Sequence, residues 1–130
     1  MQLSGYNRWA AYNKGVELAN LIHQLSTAFP KEERYSLTDQ IRRSSRSVCA
    51  NLAESYGKRR YKKHFRSKLT DSAAENFATQ TWLDFALRFG YISQEKHAIC
   101  LSLAIEVGKL ITYMEHNSEK FLARPFPETN

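Results

Sequence analysis

Ten cations crowd one stretch of this 130-residue chain: Arg42, Arg43, Arg46, Lys58, Arg59, Arg60, Lys62, Lys63, Arg66 and Lys68. Between residues 42 and 68 only Glu54 opposes them, for a net +9, while the rest of the chain holds nine basic and twelve acidic residues and the whole stands at +6. The excess is therefore local. Lysine and arginine alternating with acids make an ordinary solvated helix face. Here the acids are missing, and the chemistry implied is recognition of a polyanion through phosphate contacts and counterion release. Tyr61, His64 and Phe65 lie among the cations and offer rings for stacking on unpaired bases, with Phe65 also fitting a core position. No sequence-reading element accompanies them, and an anionic membrane surface fits less well because exposed apolar anchors are few.

Other chemistry has weaker support. The five glycines are scattered singly, so no phosphate-cradling loop is present. The four histidines are scattered over three helices, and only His97 and Cys100 stand one helical turn apart, two ligands where a structural zinc needs four. Asn51 and Glu54 border the apolar stripe of one helix, and Glu75 lies near the corresponding level of the next if the two are antiparallel. Paired carboxylates can do acid–base work, but with no nucleophile, metal or phosphate loop beside them the three are expected to form a structural polar network that fixes helix register. No metal or cofactor is expected.

These residues must be positioned by helices. Leu18, Leu21, Ile22, Leu25 and Phe29 give a helical stripe over 9–28 that ends at Phe29-Pro30. Leu37, Ile41, Ser44, Val48, Leu52 and Ser55 share one face of a second helix, opened by a Ser36/Asp39 capping arrangement and stopped by Gly57. A third helix from Tyr61 to Phe89 carries two stripes: Phe65, Leu69, Ser72, Asn76, Gln80, Leu83 and Leu87 on one face, and Ala78, Trp82, Phe85 and Phe89 on another. The second stripe is expected to be an oligomer interface, the alternative being a central helix buried more widely. Ser93 opens a fourth helix over 94–121 with Ile99, Leu103, Val107, Leu110, Met114 and Phe121 as its stripe, widened by Ala104 and Ile111. Without strand-like alternation anywhere, the fold class is all-α, an antiparallel up-down four-helix bundle over 1–123 with a mobile tail at 124–130.

The length allows a core without disulfides or metals. Cys49 and Cys100 are expected as buried thiols of a reducing, cytoplasmic compartment, although their pairing stays open. No run approaches the apolar length of a membrane span, and the first residues lack the apolar core of a secretion signal.

The segment 29–58 resembles the signature of the bacterial four-helix bundle proteins encoded within intervening sequences of 23S ribosomal RNA genes. Phe29-Pro30, Glu33, Tyr35, Leu37, Gln40 to Arg43, Ser47, Asn51 to Glu54, Gly57 and Lys58 match it, and Phe65, Leu69, Ser72, Glu75 and Gly90 to Ile92 also fit. Ser55 and Asp71 stand where the family commonly has glycine. The resemblance implies a bundle assembling as a homopentamer, with no catalytic activity. It also implies kinship with the accessory proteins of diversity-generating retroelements, which bind nucleic acid and a reverse transcriptase through a basic surface. The expectation is a non-enzymatic oligomer binding RNA or DNA, through Lys58, Arg59, Arg60, Lys62, Lys63 and Arg66 first and Arg42, Arg43 and Arg46 second. The alternatives are a scaffold docking an acidic protein, and an enzyme built on Glu54 and Glu75.

Overall fold

Leu37, Ile41, Ser44, Val48, Leu52 and Ser55 all face inward on the second helix of the structure, a computed structural model that describes residues 5–124. The expectations for 125–130 lie outside those residues. Four helices follow in order: α1 (Ala10–Ser26), α2 (Leu37–Gly57), α3 (Lys62–Arg88) and α4 (Gln94–His116), with single 3-10 turns at Gly5–Arg8, Lys31–Glu33 and Ser118–Lys120. Each helix packs on its chain neighbours and α1 closes the ring on α4, while among the described residues the backbones of the two diagonal pairs stay apart. This is an antiparallel up-down four-helix bundle, as the short links require.

The core has two apolar halves. Leu18, Ile22, Leu37, Ile41, Leu83 and Cys100 are among the side chains that fill one. Val48, Leu52, Phe65, Leu69, Val107 and Ile111 fill the other. Between them lies a waist of buried polar side chains. Thr79 Oγ1 donates to Ser44 Oγ (2.9 Å), Ser72 Oγ to the Val48 carbonyl (2.7 Å), and Asn76 Nδ2 to the Ala104 carbonyl (2.8 Å). A Cβ at Gly108 would stand 3.2 Å from Asn76 Nδ2, so glycine there opens the approach to α4. Asn76 Oδ1 is buried and has no hydrogen-bond partner among the described residues.

The buried face of α3 is Phe65, Leu69, Ser72, Asn76, Thr79, Leu83 and Ala86. It steps strictly by four and three, so the expected Gln80 and Leu87 are only half-buried, and Thr79 and Ala86 take the inner positions. On α4, Cys100 replaces the expected Ile99, which is 52% exposed. Helix α4 is shorter than the expected 94–121, yet by length and composition it is apolar enough to cross a membrane, which the sequence reading did not anticipate; in the bundle its Cys100, Leu103, Val107, Ile111 and Met114 pack into the core.

Helix ends show two further differences. Gly57 is the last residue of α2 and lacks a positive φ, so it is no left-handed stop. Gly90 is one, at φ 76°: Tyr91 N–H donates to the Ala86 carbonyl (2.8 Å) and Gly90 N–H to that of Leu87 (3.0 Å), the double bond of a Schellman ending. The expected Ser36 cap is not made. Instead Ser36 Oγ donates to Glu33 Oε1, which also accepts from Leu37 N–H (3.3 Å), while Tyr91 OH donates to Glu33 Oε2 (2.8 Å). One carboxylate thus opens α2 and ties the α3–α4 link to it.

The Ser36 bond first, then those from Tyr91 and Leu37, hold the Glu33 carboxyl below its ordinary 4.5. Because the folded pKa is the lower one, this contribution to stability is present above the unfolded value and is lost as pH falls through the folded one. Glu33→Gln is therefore expected to lower the urea midpoint at neutral pH, with the deficit to wild type shrinking below about pH 4. A deficit that stays constant across that range would show that the carboxylate's charge is irrelevant.

Candidate nucleic-acid interface

The link between α2 and α3 is a chain of tight turns. Lys58 N–H donates to the Ser55 carbonyl, Arg59 N–H to Tyr56, and Tyr61 N–H to Lys58. α3 then begins at Lys62 without a side-chain cap and without an acid in its first turn. Lys62 and Lys63 so occupy a helix N-terminus, where the backbone dipole is already positive and each cation costs about 0.3–1 kcal/mol. Such placement favours an incoming anion.

Acids from distant sequence positions temper the run. Glu119 pairs with Lys62, Glu115 with Arg66 (3.6 Å), and Lys68 with both Glu54 (3.2 Å) and Asp71 (3.6 Å). Three of these four carboxylates lie outside the window that gave +9: Asp71 stands one helical turn past Lys68, and Glu115 and Glu119 are brought in by folding alone. The pairs are exposed, worth about 0–1 kcal/mol each, so phosphate can displace the carboxylates. Lys58 and Lys63 are exposed, and no described carboxylate lies within ion-pair distance of either. Arg59 lies over the Tyr56 ring (3.5 Å to its centroid) with Nε donating to the Tyr56 carbonyl (3.0 Å). Tyr61 and His64 are exposed and meet edge to face, whereas Phe65 is fully buried core.

Arg42, Arg43 and Arg46 do not join this corner. Arg42 is 16 residues before Lys58 on α2, about 24 Å away. Its Nε donates to Ser26 Oγ (2.7 Å) and its Nη2 to the His23 carbonyl (3.5 Å), at the C-terminal end of α1 where a cation is favoured. Arg46 Nη2 meets His23 Nδ1 at 3.3 Å. Arg43 is exposed and lines a cleft of about 330 Å³ with Gln40, Glu75 and Trp82.

Asn51, Glu54 and Glu75 are not brought together. Asn51 Nδ2 donates within its own helix, to the Ser47 carbonyl (2.9 Å) and Oγ (3.1 Å). Glu54 pairs outward with Lys68, and Glu75 lies seven residues further along α3, about 10 Å. The buried polar contacts between helices belong to Ser44, Ser72, Asn76 and Thr79. Their only sequence signal is a small or polar residue at an inward register position.

On the α2 side of α3, Trp82, Phe85 and Phe89 form a ladder of rings with centroids 6.1 and 5.6 Å apart, continued by Tyr91 at 5.8 Å. Trp82 and Ala78 are half-buried, while Phe85 and Phe89 are 40% and 56% exposed. Phe77 (68% exposed) and Ile105 (43%) face a separate groove between α3 and α4. The sequence stripes did not include this groove.

The remaining reactive groups are engaged. Burial raises the thiols of Cys49 and Cys100 to about 11, so neither is a nucleophile at neutral pH, and they are unpaired. His97 Nε2 lies 2.8 Å from Asp84 Oδ1. Among the described residues no three His, Cys, Asp or Glu side chains converge to hold a metal.

Comparison with known proteins bears on the chain as a whole. A solved structure from Bacteroides thetaiotaomicron, of a protein with unknown function from the S23 ribosomal protein family, superimposes with a TM-score of 0.74 at 26% identity, covering 82% of this chain and 95% of that one. A search of curated proteins finds no match. The model of the 23S rRNA-intervening sequence protein family matches residues 7–113, a span from the first 3-10 turn almost to the end of α4. With that match, the bundle and the motif at its second helix, the chain belongs to the 23S rRNA-intervening sequence protein family.

Proposed function

We propose that this protein is a non-enzymatic, self-associating bundle that binds nucleic acid electrostatically, its target being structured RNA or an RNA–protein complex. The observation that carries this is the α2–α3 corner, where cations stand at a helix N-terminus with no acid in the first turn and with Lys58 and Lys63 unmatched by any described carboxylate. Lys58, Arg59, Arg60, Lys62, Lys63 and Arg66 make the main phosphate contacts. Arg42, Arg43 and Arg46, about 18–24 Å up α2, serve a second stretch of backbone or a neighbouring subunit. The family's name, which refers to a ribosomal RNA insert, supports RNA over DNA. The resemblance to retroelement accessory proteins adds a reverse transcriptase as a partner. Fluorescence anisotropy with a structured RNA over a salt series tests the reading, and flat or absent binding at low salt overturns it.

Self-association uses the ring ladder of Ala78, Trp82, Phe85 and Phe89, and a ring of subunits would repeat the basic corner and make weak contacts act together. Phe85→Glu/Phe89→Glu is expected to reduce the light-scattering mass to the 15.1 kDa protomer while helix content is kept. An unchanged mass would remove this face from the interface. The alternative of docking an acidic protein draws on the pairs with Glu115 and Glu119, since these cations already accept carboxylates. Competition separates the two, because RNA should displace labelled RNA far more effectively than an acidic peptide of equal charge.

A further inference from the structure

At the end of the bundle that carries the α2–α3 corner, three segments enclose a cleft of about 390 Å³. Its walls are the Gly5–Arg8 turn, the end of α2, and the chain just after the Ser118–Lys120 turn. Ala123 N–H donates to the Arg59 carbonyl at 3.1 Å and fastens the last wall to the second. Every wall supplies cations: Arg8 from the first, Arg59 from the second, Lys120 and Arg124 from the third, and no described carboxylate lines the space. Three of these four lie outside the basic run of the sequence and more than a hundred residues separate the outermost, so only the fold assembles them.

The same walls are aromatic. Trp9 meets Tyr56 and Phe121 edge-on, at 5.6 and 6.1 Å between centroids. The Arg59 guanidinium lies 3.5 Å over Tyr56, anchored through Nε on the Tyr56 carbonyl. Gly5, at φ 68°, lets the first turn close against that ring, since a Cβ there would stand 3.0 Å from the Tyr56 ring carbon Cζ. Cations alone would accept any anion, and rings alone any apolar body. Together, in a volume suited to a small ligand, they select a molecule with a planar π-face and an anionic group.

We propose that this cleft seats one unpaired nucleotide, its base on the Arg59–Tyr56 stack and its phosphate among Arg8, Lys120 and Arg124. With one plane of the guanidinium on tyrosine, the other is turned to receive a base, a stacking partner used for single-stranded RNA. A paired base cannot enter so small a space, so the ligand is an overhang, an extruded residue or a free nucleotide. The choice of RNA as its source rests on the function proposed above; the nucleotide chemistry does not.

The test uses the full chain labelled with 5-fluorotryptophan, whose two tryptophans report separately. Trp9 lines the cleft's end of the molecule, and Trp82 lies twenty residues along α3 from Lys62, about 30 Å. Adenosine 5′-monophosphate is expected to move the Trp9 fluorine resonance saturably, with a Kd of about 1 mM, and to leave Trp82 in place. Adenosine and inorganic phosphate should each be about tenfold weaker. A hairpin RNA with a single-stranded overhang should bind about tenfold tighter than its blunt counterpart. Arg8→Glu/Arg124→Glu, both exposed and outside the four long helices, should abolish the Trp9 shift and the overhang preference without changing circular dichroism. Arg59→Lys, which keeps the charge but loses the plane, should abolish the preference alone.

A Trp9 resonance unmoved by the monophosphate up to about 10 mM, or a shift that survives the double substitution, overturns the proposal. Hairpin binding without either effect sinks the nucleotide seat and spares the RNA reading. A monophosphate shift without any hairpin binding does the reverse. A monophosphate shift with no overhang preference assigns the seat to free nucleotides.

Discussion

Asn76→Asp is expected to destabilise the protein by about 3–5 kcal/mol at neutral pH, the cost of an uncompensated buried charge. Asn76 is 1% exposed, its Nδ2 donates to the Ala104 carbonyl, and its Oδ1 has no partner among the described residues. The substitution replaces the one donor by a second anionic oxygen and aims it at a carbonyl. Burial raises the folded pKa of the new carboxyl above the ordinary 3.9 or so. Its penalty is therefore largest above the folded pKa and falls as pH drops toward the unfolded value, where both states bind the proton. Asn76→Leu makes the contrast. It deletes the orphaned oxygen together with a bond to a carbonyl that also accepts from Gly108 N–H by helix geometry, so the loss should stay within about 1 kcal/mol. Urea unfolding of the three proteins at neutral and acidic pH measures both numbers. If the aspartate variant matches the leucine variant at neutral pH, the waist is open to water and its hydrogen bonds are not buried.

The second large effect concerns binding. Lys58→Glu/Lys63→Glu should weaken RNA binding about 100-fold at low salt and flatten the dependence of log K on log salt by about two. Two phosphate contacts are lost and two repulsions gained. The folded state should not suffer. Lys63 lies in the first turn of α3, where a carboxylate is favoured by about 0.3–1 kcal/mol, and Lys58 caps the C-terminus of α2, where a carboxylate is disfavoured by as much, so the two effects offset and the variant should be about as stable as wild type. Affinity lost at unchanged stability is the mark of a cation kept for a ligand. A parallel loss of both would mean that the corner is structural. Retained affinity would move the phosphate contacts elsewhere, to Arg42, Arg43 and Arg46 or out of the reading altogether.

Legibility of the sequence varied by helix for a physical reason. On α2 all six residues of the expected stripe are buried, because Leu37, Ile41, Val48 and Leu52 recur at spacings that leave little choice and carry Ser44 and Ser55 with them; only the polar Thr38 and Ser45, buried beside that stripe, were missed. On α3 the inward positions include Ser72, Asn76 and Thr79, which carry no hydropathy signal, and the reading slipped one residue to Gln80 and Leu87. The exposed Ile99 drew the α4 stripe away from Cys100, which packs as a small hydrophobe. The capping acid of α2 was sought inside the helix at Asp39, and it comes from the preceding turn at Glu33. The cationic corner was visible because its residues are neighbours in sequence. Its partners Glu115 and Glu119, and the cleft cations Arg8, Lys120 and Arg124, were invisible because nothing local links them to it.

The up-down alternation of the helices bears on how the molecule meets a partner. Two helices begin and two end at each pole, so their backbone dipoles oppose one another and cancel along the long axis. What electrical polarity remains is set by side chains, and it points along that axis. Beyond the cations that Glu115 and Glu119 answer, one pole holds Arg8, Lys58, Lys63 and Arg124, while the other sets Lys31, Arg34, Arg42, Arg88 and Lys96 against Glu32, Glu33, Asp39, Asp84 and Glu95. In the field of a polyanion such a body is turned pole-first before contact. The orientational search that slows most associations is thereby shortened, and the gain would appear in the encounter rate, rising as salt is lowered.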